Sequence, residues 1–535
     1  MHPFLNDRWA PLGYKQALGD GLSGRPTVAV PSWVPADDHR RLAAYDILGA
    51  YRSNTAANYL PDLLDPQTKT LIDQRTKVRE YGHGALLVSQ ARALVLGDRQ
   101  TITMPGADGP NKNFYEWLAG TDDEDGWAAL EWLQAKLYAC EDNALGDGDG
   151  VLALGWDQAR RRPRLRKYDP GWYFPDIHAT TQDDFPPAVH IAWEFQDPAD
   201  QAHTYVQRKT WQLVPRPPGS PRLAYQRPDE PPAELTCMYS DGVWRLDLLP
   251  QGATVYDNWG QPARWETPPA DMGVDFITVV HVANDVDQQQ PFGRSILLLL
   301  AQILDDLSLT DSDLQANSSL VGSSPTVTRG AVTNLPAGPG VQWNLPAGAD
   351  ARMLDTSHSL DALLGYDRHL LDTLARNSRI AGVLLGMVQP DKVESGYLFE
   401  LGFAPTHAMV GELRLVRLMK YPLLLKMAMR LAQVAGVLPA GPTPPARLEL
   451  GPYLPADKDG TVKRVTQALA AHAMSVETAV RQLAAAGLDM GEIEDEIKRI
   501  FAEWGELAVQ AVEATGDVAA GRRILGLDAA PEPGV

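Results

Sequence analysis

Phe292-Gly293-Arg294-Ser295-Ile296-Leu297-Leu298-Leu299-Leu300-Ala301-Gln302-Ile303-Leu304 opens the stretch from Pro291 to Gly436, whose reading decides the fold. Ser295 stands as an N-cap ahead of Ile296 to Leu300, and Ile303, Leu304 and Leu307 carry the pattern on, which predicts a helix over Phe292 to Leu314. The run is apolar nearly all round and therefore calls for burial on most sides. It is too short for a bilayer, which needs about 20 apolar residues. From Asn317 the pattern fails at Ser318, Ser319, Gly322, Ser323, Ser324 and Pro325. Thr326-Val327-Thr328 and Val341-Gln342-Trp343 then read as short strands around the turn-rich Asn334 to Gly340, a small β module at the far end of a helical hairpin.

Helix resumes at Ser359. Leu360, Leu363, Leu364, Leu370, Leu371 and Leu374 share one broad face, with Asp361, Asp367, Arg368, Asp372 and Arg376 off it. That face is expected to pack on the first helix. After Ile380 comes Gly386-Met387-Val388-Gln389-Pro390-Asp391-Lys392-Val393-Glu394-Ser395-Gly396, punctuated by Gly and Pro and charged in the middle, so an exposed loop is expected. From Tyr397 to Ala435 the chain is apolar and helical, with Val410, Leu413, Val416, Met419, Leu423, Met427 and Leu431 in step. Pro405 is expected to break or start this helix, and Pro422 to kink it.

This order of parts resembles the portal proteins of tailed bacteriophages. Ser395-Gly396 before Tyr397-Leu398, Ser475-Val476-Glu477-Thr478-Ala479 and Tyr168-Asp169-Pro170 with Tyr173-Phe174-Pro175 are similar to phrases of the actinobacterial-phage type. The resemblance implies an α+β, portal-like fold: a mixed wing over 1–290, a first stem helix over 291–316, a β clip over 317–358 and a second stem helix over 359–382. A tunnel loop over 383–396, a long wing helix over 397–436 and a C-terminal wing and crown over 437–535 complete it.

Composition sets outer limits. A chain of 535 residues has room for two to four domains, and 44% hydrophobic with 22% charged residues is ordinary for a globular protein. The net charge of −20 argues against nonspecific DNA affinity. Cys140 and Cys237 are too few for a disulfide framework and are expected as two buried thiols. Met1-His2-Pro3-Phe4 lacks the basic and apolar regions of a secretion signal, and a reducing cytoplasm fits.

Residues 1–36 are expected to wander over a surface, and Asp37 to Tyr59 to form a helix. Ala85-Leu86-Leu87-Val88 and Ala93-Leu94-Val95-Leu96 each have the length of a strand. Phe114 to Cys140 reads as helix, with Trp117, Trp127 and Trp132 as core. From Gly146 the period falls toward two: Val151–Leu154, Val189–Phe195, Thr204–Val206, Thr210–Val214, Val243–Leu246 and Phe276–Val280 predict an antiparallel layer. Asp169-Pro170-Gly171 reads as a turn leading into aromatic packing. After the linker Pro439 to Pro445, Arg447 to Leu450 is a strand candidate. Thr461 to Phe501 is helical, broken near Gly487 and capped at Ser475 with Glu477 behind it, and Ala529 to Val535 is a Pro/Gly-rich tail expected to be disordered.

Phosphate-loop, nucleophile-elbow and paired-histidine zinc motifs are missing, so catalytic, cofactor and metal residues are each expected to be none. Gly146-Asp147-Gly148-Asp149-Gly150 lacks the spacing and final Glu of a calcium loop and reads as a hairpin turn. Arg160-Arg161-Arg162, Arg164, Arg166 and Lys167 form the main basic patch. With no aromatic residue interleaved, a solvated face or subunit salt bridge is favoured over direct DNA contact. His83, between Gly82 and Gly84, reads as a turn residue. Asp305, Asp306, Asp311 and Asp313 do not share one helical face and read as an acidic solvated surface.

What the resemblance implies about function is a homo-oligomeric ring, expected to be dodecameric, at a capsid vertex of the virion and in the host cytoplasm during assembly. Double-stranded DNA slides through it without sequence preference. Gln389, Asp391, Lys392 and Glu394 of the tunnel loop are the expected DNA-facing residues, and Thr328, Arg329, Asn334 and Trp343 of the clip the expected docking residues. The implied partners are the large subunit of the terminase as packaging ATPase, a head-to-tail adaptor and the major capsid protein, with no membrane. An oligomeric enzyme of unknown class and a capsid or tail scaffold without a channel are the alternatives.

Overall fold

The computed structural model describes residues 8–18, 30–60, 63–64, 71–73, 78–121, 123–177, 186–284, 291–322, 326–329, 350–353, 357–387, 396–453, 458–471, 473–485, 488 and 493–519. The fold is α+β, and the chain divides into two compact units, Met1–Gly451 and Pro452–Val535.

In the first unit, helix α1 (His39–Ser53) is followed by the two-stranded β1 (Leu63–Leu64) and β2 (Leu71–Asp73) and by helix α2 (His83–Leu96). Then come β3 (Gln100–Thr103), α3 (Lys112–Ala119), the hairpin β4 (Gly120–Thr121) and β5 (Glu124–Asp125), α4 (Trp127–Leu130) and α5 (Leu133–Gly146). The β-rich part holds β6 (Asp149–Asp157), β7 (Arg162–Tyr168), β8 (Tyr173–Pro175), β9 (Ala188–Asp197), β10 (Asp200–Pro215), β11 (Leu235–Arg245), β12 (Arg264–Asp271) and β13 (Val279–Ala283). Helix α6 (Ala301–Gly322), strands β14 (Thr326–Arg329) and β15 (Asp350–Met353), helix α7 (Ser357–Ser378), helix α8 (Gly396–Val434) and strand β16 (Arg447–Leu450) complete it. The second unit contains α9 (Lys458–Ala470), α10 (Val476–Ala485) and α11 (Ile493–Thr515).

The antiparallel layer is present as two sheets, of order β12-β11-β10-β9-β8 and β13-β6-β7. Along β9, Val189 and Ile191 point into the main core, His190 and Ala192 are buried on the opposite face, and Glu194 and Gln196 further along that face are exposed. Thr204–Val206 and Thr210–Val214 belong to the single long strand β10, whose register runs unbroken from Tyr205↔Arg245 to Pro215↔Leu235. The main core lies among both sheets, α5 and the C-terminal half of α8, where Tyr421, Leu424, Leu425, Met427, Ala428 and Met429 are all buried. On the other face of the five-stranded sheet, Trp33, Phe174, Trp244 and Trp259 form a second cluster. Arg208 lies 4.1 Å above the Trp259 ring, a cation–π contact.

Several expectations are corrected. Ala85–Val88 and Ala93–Leu96 are turns of one helix, α2, because Leu87, Ala91, Leu94 and Val95 keep a spacing of three and four with all of them buried. Gly84 lets α2 approach α1, since a Cβ there would lie 2.7 Å from the Tyr51 carbonyl oxygen. His83 opens this helix rather than sitting in a turn. The Phe114 to Cys140 helix is interrupted by β4 and β5, because Gly120 takes φ +94° and a Cβ on Gly126 would sit 2.2 Å from the Gly120 nitrogen. Trp117 stacks on buried Trp127 at 6.1 Å, but Trp132 is 74% exposed and left-handed at φ 55°.

Where it is described, over residues 8–18 and 30–36, the N-terminal segment does not wander either: Trp9, Leu12, Lys15, Ala17, Leu18, Trp33 and Val34 are buried. Gly146 to Gly150 is a helix-to-strand junction between α5 and β6, not a hairpin turn. Asp147 there accepts from Arg52 Nη2 on both its carboxylate oxygens, at 2.7 and 2.8 Å. Asp149 accepts from Tyr45 Oη at 2.5 Å, His281 Nε2 at 2.7 Å and the Gly293 amide at 2.6 Å. The strand predicted at Phe276 starts later, as β13. Asp169 Oδ1 accepts from the Gly171 amide at 2.8 Å, and Trp172 beyond that turn stacks on Trp193 at 5.0 Å, both as expected. Cys140 and Cys237 are free and buried.

In the second unit Ser475 Oγ accepts from the Thr478 amide at 3.2 Å, an N-cap bond. Glu477 pairs forward with Arg481 at 2.7 Å instead of back to the cap. Helix α11 runs on past Phe501 to Thr515.

Candidate functional site: the helix pair, its strand cap and the long helix

The apolar run at Ile296 does not begin the first helix of the pair. Residues 295–300 form successive tight turns, in which Leu297 donates to Ser295 Oγ at 3.0 Å and Ser295 Oγ donates to the Gly146 carbonyl at 2.6 Å. Ser295 thus ties the approach to the α5–β6 junction, and α6 starts at Ala301. Helix α7 starts two residues before the expected cap at Ser359. The two helices pack on each other, and β14 and β15 pair antiparallel at their far end, with Thr328↔Ala351 and Arg329↔Asp350 in register.

The base of the pair is fixed by a buried polar network. Asp305 accepts from Tyr14 Oη at 2.5 Å, Lys15 Nζ at 2.9 Å and Tyr51 Oη at 3.1 Å. Asp305 is therefore not part of an acidic solvated surface: it is buried at the α6 base, and only Asp313 of the four aspartates is exposed. Burial lowers the Lys15 ammonium pKa, with the Asp305 charge opposing, and burial and Asp305 together raise the Tyr14 phenol. Further out, His83 Nε2 lies 3.7 Å from Asp311 Oδ2. Asp367 of α7 faces the same pair, and its carboxyl is raised by burial and then by the Asp311 charge.

Burial falls away along the pair. Leu304, Leu307, Leu370, Leu374 and Ile380 at the base are buried, whereas Asp361, Ala362, Leu364, Gly365, Tyr366, Arg368 and His369 of α7 are exposed on several sides of the helix. Leu364, expected on the packed face, is 40% exposed and Tyr366 is 47% exposed.

Helix α8 continues through Pro405 and Pro422, neither of which ends it. Each proline removes the bond to the carbonyl four residues back, at Leu401 and Leu418, both exposed residues. Phe403, Thr406, Val410, Leu413, Arg417 and Tyr421 form its buried stripe, and Leu401, Leu415, Leu418 and Met419 an exposed apolar one at 58%, 64%, 52% and 71% exposure. Thr406 Oγ1 donates to the Arg379 carbonyl at 2.8 Å and accepts from the Ala381 amide at 3.0 Å, holding the end of α7 to α8. Deeper in, Arg417 meets Glu141 at 2.8 and 3.0 Å, and Tyr421 Oη donates to the same carboxylate, with both charged side chains fully buried.

Gln389, Asp391, Lys392 and Glu394, together with Asn334, Trp343 and the strand expected at Val341–Trp343, lie outside the described residues. Thr328 and Arg329 are described through the β14 backbone. Of the basic patch, Arg160 pairs with Asp157 at 3.6 Å and Arg162 with Glu131 at 2.9 Å, while Arg161, Arg164 and Arg166 are exposed. The aromatics missing from that stretch of sequence are supplied in space: Trp156, Tyr168, Trp211 and Tyr239 line the same cleft as these arginines. Among the described residues no group of three His, Cys, Asp or Glu is arranged to hold a metal ion, and no helix is long and apolar enough to cross a membrane.

No protein-family model matches the chain, and no curated protein matches it. Among solved structures, the chain is similar to one from the virion of a native gene transfer agent particle, at 13% identity and TM-score 0.37 over 85% of this chain and 96% of that one. It is similar to a chain from the neck of the native particle computed with C12 symmetry, at 14% identity and TM-score 0.35 over 75% and 89%. A third, from the neck of the empty particle computed with C6 symmetry, matches at 13% identity and TM-score 0.40 over 88% of this chain and 98% of that one.

Proposed function

We propose that this chain is the subunit of a phage-type portal ring, through which double-stranded DNA enters and leaves a capsid. The observation that carries the reading is the loss of burial along the α6–α7 pair. A helix with apolar and charged residues exposed on several sides is not satisfied within one chain and gains cover from neighbours around an axis. The exposed apolar stripe of α8 adds a second surface of the same kind.

In this reading residues 291–316 and 359–382, built on α6 and α7, are the stem, residues 317–358 the clip, into which α6 runs on to Gly322, residues 383–396 the tunnel loop and residues 397–436, built on α8, the long wing helix. Gln389, Asp391, Lys392 and Glu394 face the DNA. One lysine among acidic neighbours keeps each phosphate contact weak and brief, so the duplex slides. Thr328, Arg329, Asn334 and Trp343 meet the packaging ATPase during filling and a head-to-tail adaptor afterwards, and the wing meets the major capsid protein.

Electron microscopy of the purified chain tests the assembly: rings with a central hole, of about a dozen copies, are expected, and a monomer under all conditions sinks the reading. Lys392→Glu is expected to alter DNA packaging while rings still form. Loss of rings in that variant places the loop at a subunit contact instead.

A further inference from the structure

A cleft of about 570 Å³ lies between α1, the turn that follows β7 and strand β9. Asp46, Asp169 and Glu194 line it, all three exposed, and among the described residues none of them has a cation within ion-pair distance. Asp169 accepts from the Gly171 amide and Glu194 from Trp33 Nε1 at 2.9 Å, bonds that leave both charges uncompensated. Burial, and then the Asp169 charge, raise the Asp46 carboxyl, as two acids sharing a site with no cation between them must do. The cation in the lining, Arg52, is already held by Asp142 and Asp147. Beside the acids Trp172, 39% exposed, stacks on Trp193 at 5.0 Å and offers ring surface to a guanidinium.

The same chain carries the complement at its β6–β7 hairpin. There Arg160 is paired with Asp157 and Arg162 with Glu131, whereas Arg161 and Arg164 are exposed and, among the described residues, have no carboxylate within ion-pair distance. Arg161 stands just before β7 and Asp169 just after it, eight residues or about 26 Å apart at the rise of an extended strand. The hairpin tip therefore cannot reach the cleft of its own chain. We propose that the cleft of one copy receives the arginine hairpin of a second copy. Arg161 and Arg164 enter among Asp46, Asp169 and Glu194, with a guanidinium against the Trp172 ring. Charge selects this occupant, because the three free acids repel a phosphate backbone or an acidic segment and match a basic one. Since cleft and hairpin are different surfaces, the contact is head-to-tail, the kind that closes into a ring or runs on as a filament. It rests on the ring reading for the presence of a second copy, though not for closure.

The test is sedimentation velocity of the full-length protein and two variants. The hairpin variant carries Arg161→Asp and Arg164→Glu. The cleft variant carries Asp46→Lys and Glu194→Gln, the second of which keeps an acceptor for Trp33. Each variant alone is expected to need about tenfold more protein to associate, and association of the unaltered chain is expected to weaken with salt. An equimolar mixture is expected to regain a one-to-one complex, because the hairpin variant still has its cleft and the cleft variant still has its hairpin. Variants that associate like the unaltered chain overturn the proposal while leaving the ring reading intact, and a mixture no stronger than its parts also overturns it. Filaments in place of rings, lost in both variants, sink the ring reading and uphold this contact. A chain that stays monomeric at every concentration overturns both, and octa-arginine binding to the cleft of that monomer assigns it to a basic partner of another kind. Should the cleft variant fail to fold, the hairpin variant, altered only at exposed side chains, decides alone.

Discussion

The C-terminal half of α8 and the far half of α7 are both helices rich in apolar side chains, yet they end in opposite surroundings. Tyr421, Leu424, Leu425 and Met429 are at most 1% exposed, whereas Leu364 and Tyr366 are 40% and 47% exposed. The first region is held by a fully buried ion pair with a phenol on it, whereas the second, among the described residues, is anchored at its base by Asp305 and Thr406 and further out by the half-buried group of His83, Asp311 and Asp367. Apolar content alone therefore does not separate a buried helix from an exposed one. What separates them is whether one chain supplies a partner on every side.

The largest blow to this contrast comes from Glu141→Ala, which leaves the Arg417 guanidinium buried without its carboxylate and is expected to cost about 3–5 kcal/mol in denaturant unfolding. A cost near zero would mean that the α8 core is not closed around this pair. Next in size is an acid effect in the β layer. Burial, and then the Arg208 charge, push the His190 imidazole down to about 3. In the unfolded chain it titrates near 6.5, so as pH falls from there toward 3 the unfolded state takes up a proton that the folded state refuses. Stability is lost by about 1.4 kcal/mol per pH unit in that window. His190→Asn is expected to flatten this part of the pH–stability curve, and an unchanged slope would count against it. Smallest in stability is Tyr366→Ala on the exposed part of α7, expected to change unfolding by no more than about 0.5 kcal/mol while lowering the yield of rings in sedimentation. A large loss of monomer stability there would erase the difference between the two regions.

The contrast also shows where sequence was legible. Strands such as Val189–Phe195 and the helix pair around the strand module could be read from spacing, because burial on one face leaves a period of two or near 3.6. A short run such as Ala85-Leu86-Leu87-Val88 could not be read alone, since four apolar residues fit a strand or a helix equally, and it takes the longer spacing through Leu87, Ala91, Leu94 and Val95, with Gly84 set against Tyr51, to mark the helix. Gly120 and Gly126 did carry a readable sign of the break in the Phe114–Cys140 helix. Asp305 looked like surface because its partners Tyr14, Lys15 and Tyr51 lie some two hundred and fifty or more positions away. Likewise the aromatic wall facing Arg164 and Arg166 comes largely from β10 and β11, and no local spacing announces it.

Pro405 and Pro422 give α8 two missing rungs, each at an exposed leucine, while the stripe from Phe403 to Tyr421 stays packed. Such a rod yields on its wet side before its dry side. Bending is thus directed away from Thr406 and the Arg417–Glu141 pair, and the end next to residues 388–395 can shift by small angles while the anchored end keeps its seat.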